Sequence, residues 1–554
     1  MISINTVILF GFLVILLFIL FKKPLSQWTN RAVIIFVTII ALYTSYILSL
    51  DLPGGLLNLF SLTFLSLEMF HILDVVGGRS NRCGRLKWSR KLEPLTDFVS
   101  YTPRVSIHVP ICKEPVEVVR VTLEALNQLD YPDYEVCVLV NNTTEAGFIE
   151  PLSEICKNLG QRFRFFHLPY IRGYKAGTLN YALKVTATDA EIIAIVDSDY
   201  VVDKNFLKET VGYFKDPAVA IVQLPQDYRD FPKTHWFEGM YYAYKYFFSI
   251  VMNSCNGHNA ASFMGTMGLV RKRYLEEIGG WCEDVITEDS ELGMRIHERG
   301  YKTIYIDHSY GKGLMPLSFS SYKKQRFRWA FGNMQTIKKN IRILLRGNLT
   351  GLQKICYIGS NTIWFNNLLI PFLVVACGTI FNLSDKFAWA VVGPYMAFLL
   401  SRCLGFIFVL PRMLGISVYK GIFAFLSFLS ITFPMSIAWL LCLVRSQREF
   451  WRTPKSIKIK KNSLWEHLKE ANTELFIMGL SLLLSIMAFV KGKLLWGALT
   501  VINFLIYLPS LWALKGFVEL HEYFKRKNNT GERSPDEYSA EDWYNITPLE
   551  TTTT

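Results

Sequence analysis

Glu191-Ile-Ile-Ala-Ile-Val-Asp-Ser-Asp-Tyr200 is a short apolar run that ends in two carboxylates, Asp197 and Asp199. A run of this length bounded by polar residues reads as a strand buried on both faces, as in parallel sheets. In open α/β sheets, ligands bind outside the carboxyl ends of the strands. Two carboxylates one residue apart at such a tip can hold a divalent metal against a diphosphate. A strand end whose Asp residues cap the next turn is the other reading of the same residues.

The flanking sequence supplies more of the same architecture. Strands are expected at 104–110, 134–140, 164–168 and 218–223, with helices at 117–129 and 174–185. Strands alternating with helices imply a mostly parallel sheet covered by helices.

Outside this middle region the chain changes character. It has 554 residues, 51% of them hydrophobic, and the apolar residues gather in long runs toward both ends. Such runs suit membrane spans, expected at 4–21, 32–50, 56–73, 357–381, 387–410, 476–490 and 494–514. The first is followed, not preceded, by Lys22 and Lys23, so a retained helix is expected rather than a cleaved signal peptide. Glu68 and His71 interrupt the third, for which a core helix is the other reading.

Cations set the orientation. Lys22, Lys23 and Arg31, and then the Arg79–Lys91 cluster, belong inside, which makes the middle domain cytoplasmic. The loop 445–461 carries seven Lys and Arg and also belongs inside. The apolar stretch 421–444, broken by Pro434, is therefore expected to be interfacial or re-entrant rather than a full span. The basic stretch from Lys323 to Arg346 is expected to form interfacial helices on an anionic leaflet. The tail, 515–554, is polar and expected to be disordered, and it is too short to build a regulatory β-barrel.

The net charge of +13 fits cytoplasmic loops of a membrane protein. Nothing has zinc-finger spacing or forms a basic helix with interleaved aromatics, so no nucleic-acid partner is expected. The ten Cys are scattered without a Cys-x-x-Cys pair, as reduced thiols would be.

Several further groups can carry chemistry. Lys175-Ala-Gly-Thr-Leu-Asn180 opens a helix, where backbone N–H groups and an ammonium can meet a diphosphate. A solvated helix start is the other reading. Thr287-Glu-Asp289 also opens a helix. A carboxylate there can take a proton from a hydroxyl or simply cap the helix. In Gln325-Arg-Phe-Arg-Trp329, Arg328 and Gln325 can hydrogen-bond a diphosphate, and the Trp329 ring offers a face for a sugar. An amphipathic helix on a membrane surface is the alternative.

Taken in order, these motifs resemble those of membrane-embedded, processive family-2 glycosyltransferases, the group of cellulose, β-1,3-glucan, chitin and hyaluronan synthases. The resemblance covers about residues 100 to 460. It implies a cytoplasmic α/β domain of the GT-A type, related to the Rossmann fold, in a multi-pass α-helical membrane protein. It also implies that Pro110 and Glu114 contact the nucleotide and that Lys175 and Asp197 lie at the sugar nucleotide. Asp199 would be the more direct ligand of Mg²⁺ or Mn²⁺, with Asp197 beside it. Asp289 would be the general base. Gln223-Leu-Pro-Gln226 resembles the segment lining the acceptor channel. Phe263-Met-Gly-Thr266 resembles a loop at the acceptor terminus, which assigns Phe263, Gly265, Thr266, Glu288 and Trp329 to the acceptor. Phe450-Trp-Arg-Thr-Pro-Lys455, with Phe450, Thr453 and Lys455, resembles a gating loop over the nucleotide. One position departs from the pattern: where relatives carry an Asp at the end of the second strand, this chain has Val140, with Asn141 or Asn142 as substitutes.

The expected organisation is amino-terminal membrane helices at 1–78, a glycosyltransferase domain at 79–345, a membrane channel region at 346–514 and the tail. The expected activity is polymerisation of glucose from UDP-glucose into a β-glucan, β-1,3-type or cellulose-like and possible as a capsule component. The polymer would cross the plasma membrane as it grows, so the partners are a UDP-sugar, the growing polysaccharide and the lipid bilayer. A hyaluronan- or chitin-type synthase using UDP-GlcNAc is an alternative, as is a non-processive transferase acting on a lipid-linked sugar. A transporter with a nucleotide-sensing domain is the non-enzymatic one, which would draw on ionisable residues such as Glu68, His71 and Arg402.

Overall fold

The computed structural model describes residues 101–362, 369–445 and 468–529, together with 93–95 and five positions between Leu65 and Val75. The expected spans at 4–21 and 32–50, and Phe450, Thr453 and Lys455, lie outside the described residues.

A seven-stranded mixed sheet forms the first layer. Its strands are β1 (Val105–Ile111), β2 (Tyr134–Asn141), β3 (Phe163–Leu168), β4 (Ile192–Ile195), β6 (Val219–Gln223), β8 (Gly268–Arg271) and β9 (Lys302–Tyr305), in the order β3-β2-β1-β4-β8-β6-β9. β1 pairs in parallel with β2 and β4, as do β2 with β3 and β6 with β9. β8 runs antiparallel to both β4 and β6, so the sheet is mostly parallel, as expected, with β8 as its one antiparallel strand. Three short strands, β5 (Val201–Val202), β7 (Asp227–Arg229) and β10 (Gly311–Leu314), form a second sheet, with β10 in the middle.

The apolar run of β4 is explained by its neighbours. Ile192, Ala194 and Val196 belong to one buried cluster and Ile193 and Ile195 to another. Both faces are covered, so alternation with polar residues is absent. The first cluster is closed by helices α1 (Val116–Asn127) and α2 (Ala146–Leu159), the second by α3 (Tyr174–Val185) and the later α5 (Glu288–Glu298).

Between β7 and β8 runs α4 (His235–Tyr246), which continues as a π turn over Phe247–Val251. The long helix α6 (Phe319–Lys339) follows the small sheet. One face of it packs against protein. Tyr322, Arg326, Ala330, Phe331, Asn333 and Thr336 are buried, a stripe at helical spacing. Two of its cations meet groups on other helices. Lys323 pairs with the fully buried Glu474 at 2.9 Å, and the Lys338 ammonium donates to the Cys442 carbonyl at 2.8 Å.

The longer helices that follow are α7 (Gly351–Thr362), α8 (Leu369–Ile380), α9 (Asp385–Cys403), α10 (Val418–Leu429), α11 (Thr432–Val444), α12 (Asn472–Val490), α13 (Leu494–Tyr507) and α14 (Pro509–Asn529). Among the described residues, three helical stretches are long and apolar enough to cross a membrane: Phe387–Leu414, Asn472–Val490 and Leu494–Leu520. The pair α10 and α11, bent by 44°, would make a fourth if it is one span. Their break falls at Ser430 and Ile431, with Pro434 in the first turn of α11. The expected span at 357–381 is described as α7 and α8, on either side of residues 363–368, which are not described. The segment from 515, expected to be disordered, continues as helix to Asn529. Phe517 and Leu520 are buried there, and Phe517 packs edge-on to Trp236 of α4 at 6.0 Å between ring centres. Lys515 and Glu519 are exposed beside these buried residues, the mixture an amphipathic helix shows.

Candidate active site

β4 delivers Asp197-Ser-Asp199 to the carboxyl edge of the sheet, where the chain leaves the ladder. Four other segments then fix it. The Asp197 N–H donates to Thr266 Oγ1 at 3.0 Å, and the Thr122 hydroxyl donates to the Ser198 carbonyl at 2.8 Å. Arg229 donates to the Asp199 carbonyl at 3.3 Å. The Leu314 N–H of β10 donates to Asp199 Oδ2 at 2.8 Å, so the small sheet holds this carboxylate. Asp199 is 3% exposed and Asp197 is the more open of the two.

Lys175 reaches the same point from α3. Gly173 (φ 81°) and Tyr174 (φ 51°) are both left-handed, a conformation that suits glycine and turns the chain sharply into the helix. The Lys175 ammonium lies 2.6 Å from Asp197 Oδ1 and donates to the Gly265 carbonyl at 2.8 Å. Burial works against its charge, but Asp197, Glu288 and Asp289 outweigh that and hold it above the usual lysine value.

These groups line a cleft of about 1160 Å³ with Pro110, Glu114, Asn141, Gly265, Glu288, Asp289, Gln325, Arg328 and Trp329. A second cavity of about 660 Å³ adjoins it. Gln226, Met264, Thr287, Asp289 and Trp329 line both. The second cavity combines aromatic rings (Tyr244, Phe247, Phe248) with hydroxyl and amide groups (Ser262, Ser290, Asn333, Asn361). Such mixed walls suit a sugar, which has apolar ring faces and hydroxyl edges.

Asp289 stands at the junction, in the first turn of α5. The Ser290 N–H donates to its Oδ1 at 2.7 Å. Burial raises the Asp289 carboxyl above its ordinary value, opposed by the charges of Lys175 and Arg328. Its neighbour Glu288 is pushed up to about 8 by burial and by the charge of Asp289. A raised carboxyl is a stronger base once ionised.

α6 holds this loop and supplies its own groups to both cavities. Gln335 accepts from the Ile286 N–H at 3.0 Å, and a methyl on Gly332 would come within 2.5 Å of the Thr287 side chain. Gln325 accepts a hydrogen bond from the Tyr244 hydroxyl. Arg326 lies over the Tyr244 ring at 4.0 Å and the Trp329 ring at 5.0 Å. Tyr244 meets Trp329 edge-on at 5.9 Å.

The sequence-expected residues divide into three sets. Pro110, Glu114, Asn141, Lys175, Asp197, Asp199, Gly265, Glu288, Asp289, Gln325, Arg328 and Trp329 converge on the one cleft. Val140 is fully buried in the core, whereas Asn141 lines the cleft and donates to the Ile111 carbonyl at 2.9 Å. The strand's alternation therefore gives the cleft position to Asn141.

Phe263 and Thr266 are corrected. Phe263 is fully buried and packs against Trp281 at 5.4 Å, so it is a core residue. Thr266 is buried and holds the Asp197 backbone. Gln223 likewise faces inward: its amide donates to the Thr266 carbonyl at 2.9 Å and accepts from the Met264 N–H at 2.8 Å, while Gln226 lines both cavities. Sequence reasoning missed Tyr244, Ser262, Ser290, Arg326, Asn333 and Asn361. Of these, Arg326 alone had a signal, its place inside the Gln325–Trp329 motif.

Residues 192–444 match the family model described as glycosyl transferase family group 2. A UDP-forming cellulose synthase catalytic subunit from Pseudomonas fluorescens is 32% identical over 275 residues, 48% of this chain and 36% of that protein. One from Xanthomonas axonopodis pv. citri is 29% identical over 326 residues, 57% of this chain and 41% of that protein. The chain thus spans less than half the length of these curated relatives. Among solved structures, a mannosyltransferase from Pyrobaculum calidifontis in complex with GDP-Man and Mn²⁺ superposes with a TM-score of 0.45 at 19% identity, covering 68% of this chain and 99% of that one. Residues 192–444 are thus similar to the glycosyl transferase family group 2 domain, and the chain is similar to UDP-forming cellulose synthase catalytic subunits.

Proposed function

We propose that the protein is an inverting, processive glycosyltransferase that builds a β-glucan from UDP-glucose and passes the chain across the membrane in which its apolar helices sit. The observation that carries this reading is the meeting of two cavities at Asp289 and Trp329. One is lined by charged groups suited to a diphosphate, the other by rings and amides suited to a saccharide.

In this reading UDP-glucose occupies the larger cleft. Lys175 and the Arg328 fork carry the diphosphate charge, with Gln325 as a neutral donor. Pro110, Glu114 and Asn141 face the nucleoside. The acceptor terminus stacks on Trp329, in the second cavity. Its hydroxyl oxygen attacks the anomeric carbon as the bond to the diphosphate oxygen breaks. UDP leaves with that electron pair, and Asp289 takes the hydroxyl proton. One displacement turns an α-linked donor into a β-linked product. Processivity follows if the new terminus stays on Trp329. Ser360 and Asn361, near the end of α7, line the second cavity and would contact the growing chain.

The carboxylates fit a divalent cation. Asp197 and Asp199 both line the cleft and offer only hard oxygen atoms, as Mg²⁺ and Mn²⁺ prefer. Among the described residues no three His, Cys, Asp or Glu side chains cluster as an all-protein metal cage. Mg²⁺ sites commonly use one or two carboxylates and complete the shell with substrate phosphates. A metal held there would stabilise the charge of the departing diphosphate.

The test is to supply purified protein with UDP-glucose, UDP-GlcNAc or other UDP-sugars plus Mg²⁺ or Mn²⁺, then digest any polymer with linkage-specific glucanases. A glucanase-sensitive polymer from UDP-glucose alone is expected. Short single-addition products, or no product from any UDP-sugar, would overturn the reading.

A further inference from the structure

Asn333 lies one helical turn beyond Trp329 on α6, so the two side chains share a face, and both line the second cavity. The residue is only 8% exposed, yet its carboxamide makes no hydrogen bond with any described residue. Its amide atoms are not sealed from solvent but open onto the cavity, where they can pair with a bound group.

The same cavity is lined by Ser290 and Asn361. Ser290 directly follows Asp289, and its hydroxyl donates to Asn361 Oδ1 at 3.2 Å. Asn361 in turn donates to the Tyr357 carbonyl at 2.7 Å. By the donor and acceptor inventory, Asn361 keeps one N–H and one lone pair, and Ser290 keeps its lone pairs. The aromatic rings can hold a pyranose by its face but cannot fix its rotation in the plane of stacking. A directed amide can.

We propose that Asn333 hydrogen-bonds a hydroxyl of the acceptor pyranose, with the Ser290–Asn361 pair as the second contact, and so determines which acceptor hydroxyl is presented to Asp289. Asn333 is then a specificity residue for the linkage, independent of the groups that hold the donor. The inference rests on the proposed glycosyl transfer.

The test uses the full-length protein and the variants Asn333→Leu and Asn333→Ala, with three readouts: melting temperature, UDP affinity, and the rate and linkage composition of polymer made from UDP-glucose. An amide kept for a ligand predicts that Asn333→Leu melts no lower than the wild type and binds UDP within about twofold. Polymer synthesis falls about tenfold and the linkages become mixed. Asn333→Ala gives the same loss of transfer and linkage control without adding apolar bulk. Two results contradict the inference: variants that melt lower in proportion to their lost activity, or variants that match wild type in rate and linkage. A wild type that forms no polymer removes the inference together with the reading beneath it, whereas active wild type with unaffected variants removes the inference alone.

Discussion

A methyl group added to Gly265 would stand 2.6 Å from Asp289 Oδ2. Gly265 also has φ +78°, a left-handed conformation that side chains resist. The loop after Phe263 thus presses bare backbone against the carboxylate, while its carbonyl receives Lys175. Two reasons for glycine coincide at one position, and both concern the placement of a charged group. Gly265→Ala is expected to lower kcat by about 100-fold, the usual effect of moving a catalytic group by an ångström. Steady-state UDP release, with circular dichroism as the check on folding, measures it.

The Asp289 carboxyl is raised by burial, against Lys175 and Arg328. A base acts only when deprotonated. The rate should therefore fall as pH drops through a value above that of an ordinary aspartate. A kcat profile whose acid limb lies at or below the ordinary carboxylate range would contradict the environment described for Asp289.

Glu288 gives a prediction of opposite kind, for stability. Its carboxyl is pushed up to about 8 in the fold by burial and by Asp289. The unfolded chain loses this proton near pH 4.3, the ordinary value for glutamate. Between these two values the unfolded state is the one that gains by ionising, so folding stability declines as pH rises through that window. Glu288→Gln keeps the neutral form throughout. Its melting temperature relative to wild type should rise from pH 5 to pH 8, and a constant difference would count against the shift.

Among the apolar helices, Arg402 lies 3.0 Å from Glu68, with Ser401 donating to the same carboxylate, and all three are buried. Removing one partner leaves a buried charge alone. Arg402→Leu should destabilise by about 3–5 kcal/mol, while Glu68→Gln together with Arg402→Leu should recover much of that loss. Unfolding of the detergent-solubilised variants measures both. The pair reads as a fastening between the early and middle helices rather than as a transport pathway, since a packed pair with its hydroxyl partner leaves no step for a moving ion.

Much of the donor side was legible in the sequence because its chemistry lies in short motifs at element ends. The apolar run before Asp197, the helix opening at Lys175 and the carboxylate at Asp289 each needed one local rule. The second cavity was legible only where it borders the first, at Gln226, Asp289 and Trp329. Tyr244, Ser262, Asn333 and Asn361 come from four separate segments and meet only through packing. Phe263 misled because it lies in the motif beside Gly265, whereas its own side chain turns inward to Trp281. The protein partners of α6 were hidden for a similar reason: a linear pattern cannot reveal that Glu474 receives Lys323 and the Cys442 carbonyl receives Lys338.

The central claim, that Asp289 is the base in glycosyl transfer from UDP-glucose, is tested most directly by one paired measurement. Wild type and Asp289→Asn are purified, given UDP-glucose with Mg²⁺ or Mn²⁺, and followed for polymer formation at matched UDP affinity. The account expects polymer from the wild type and a loss of about 10²–10⁴ in rate for the variant, with UDP still bound. Polymer from Asp289→Asn at the wild-type rate would contradict it.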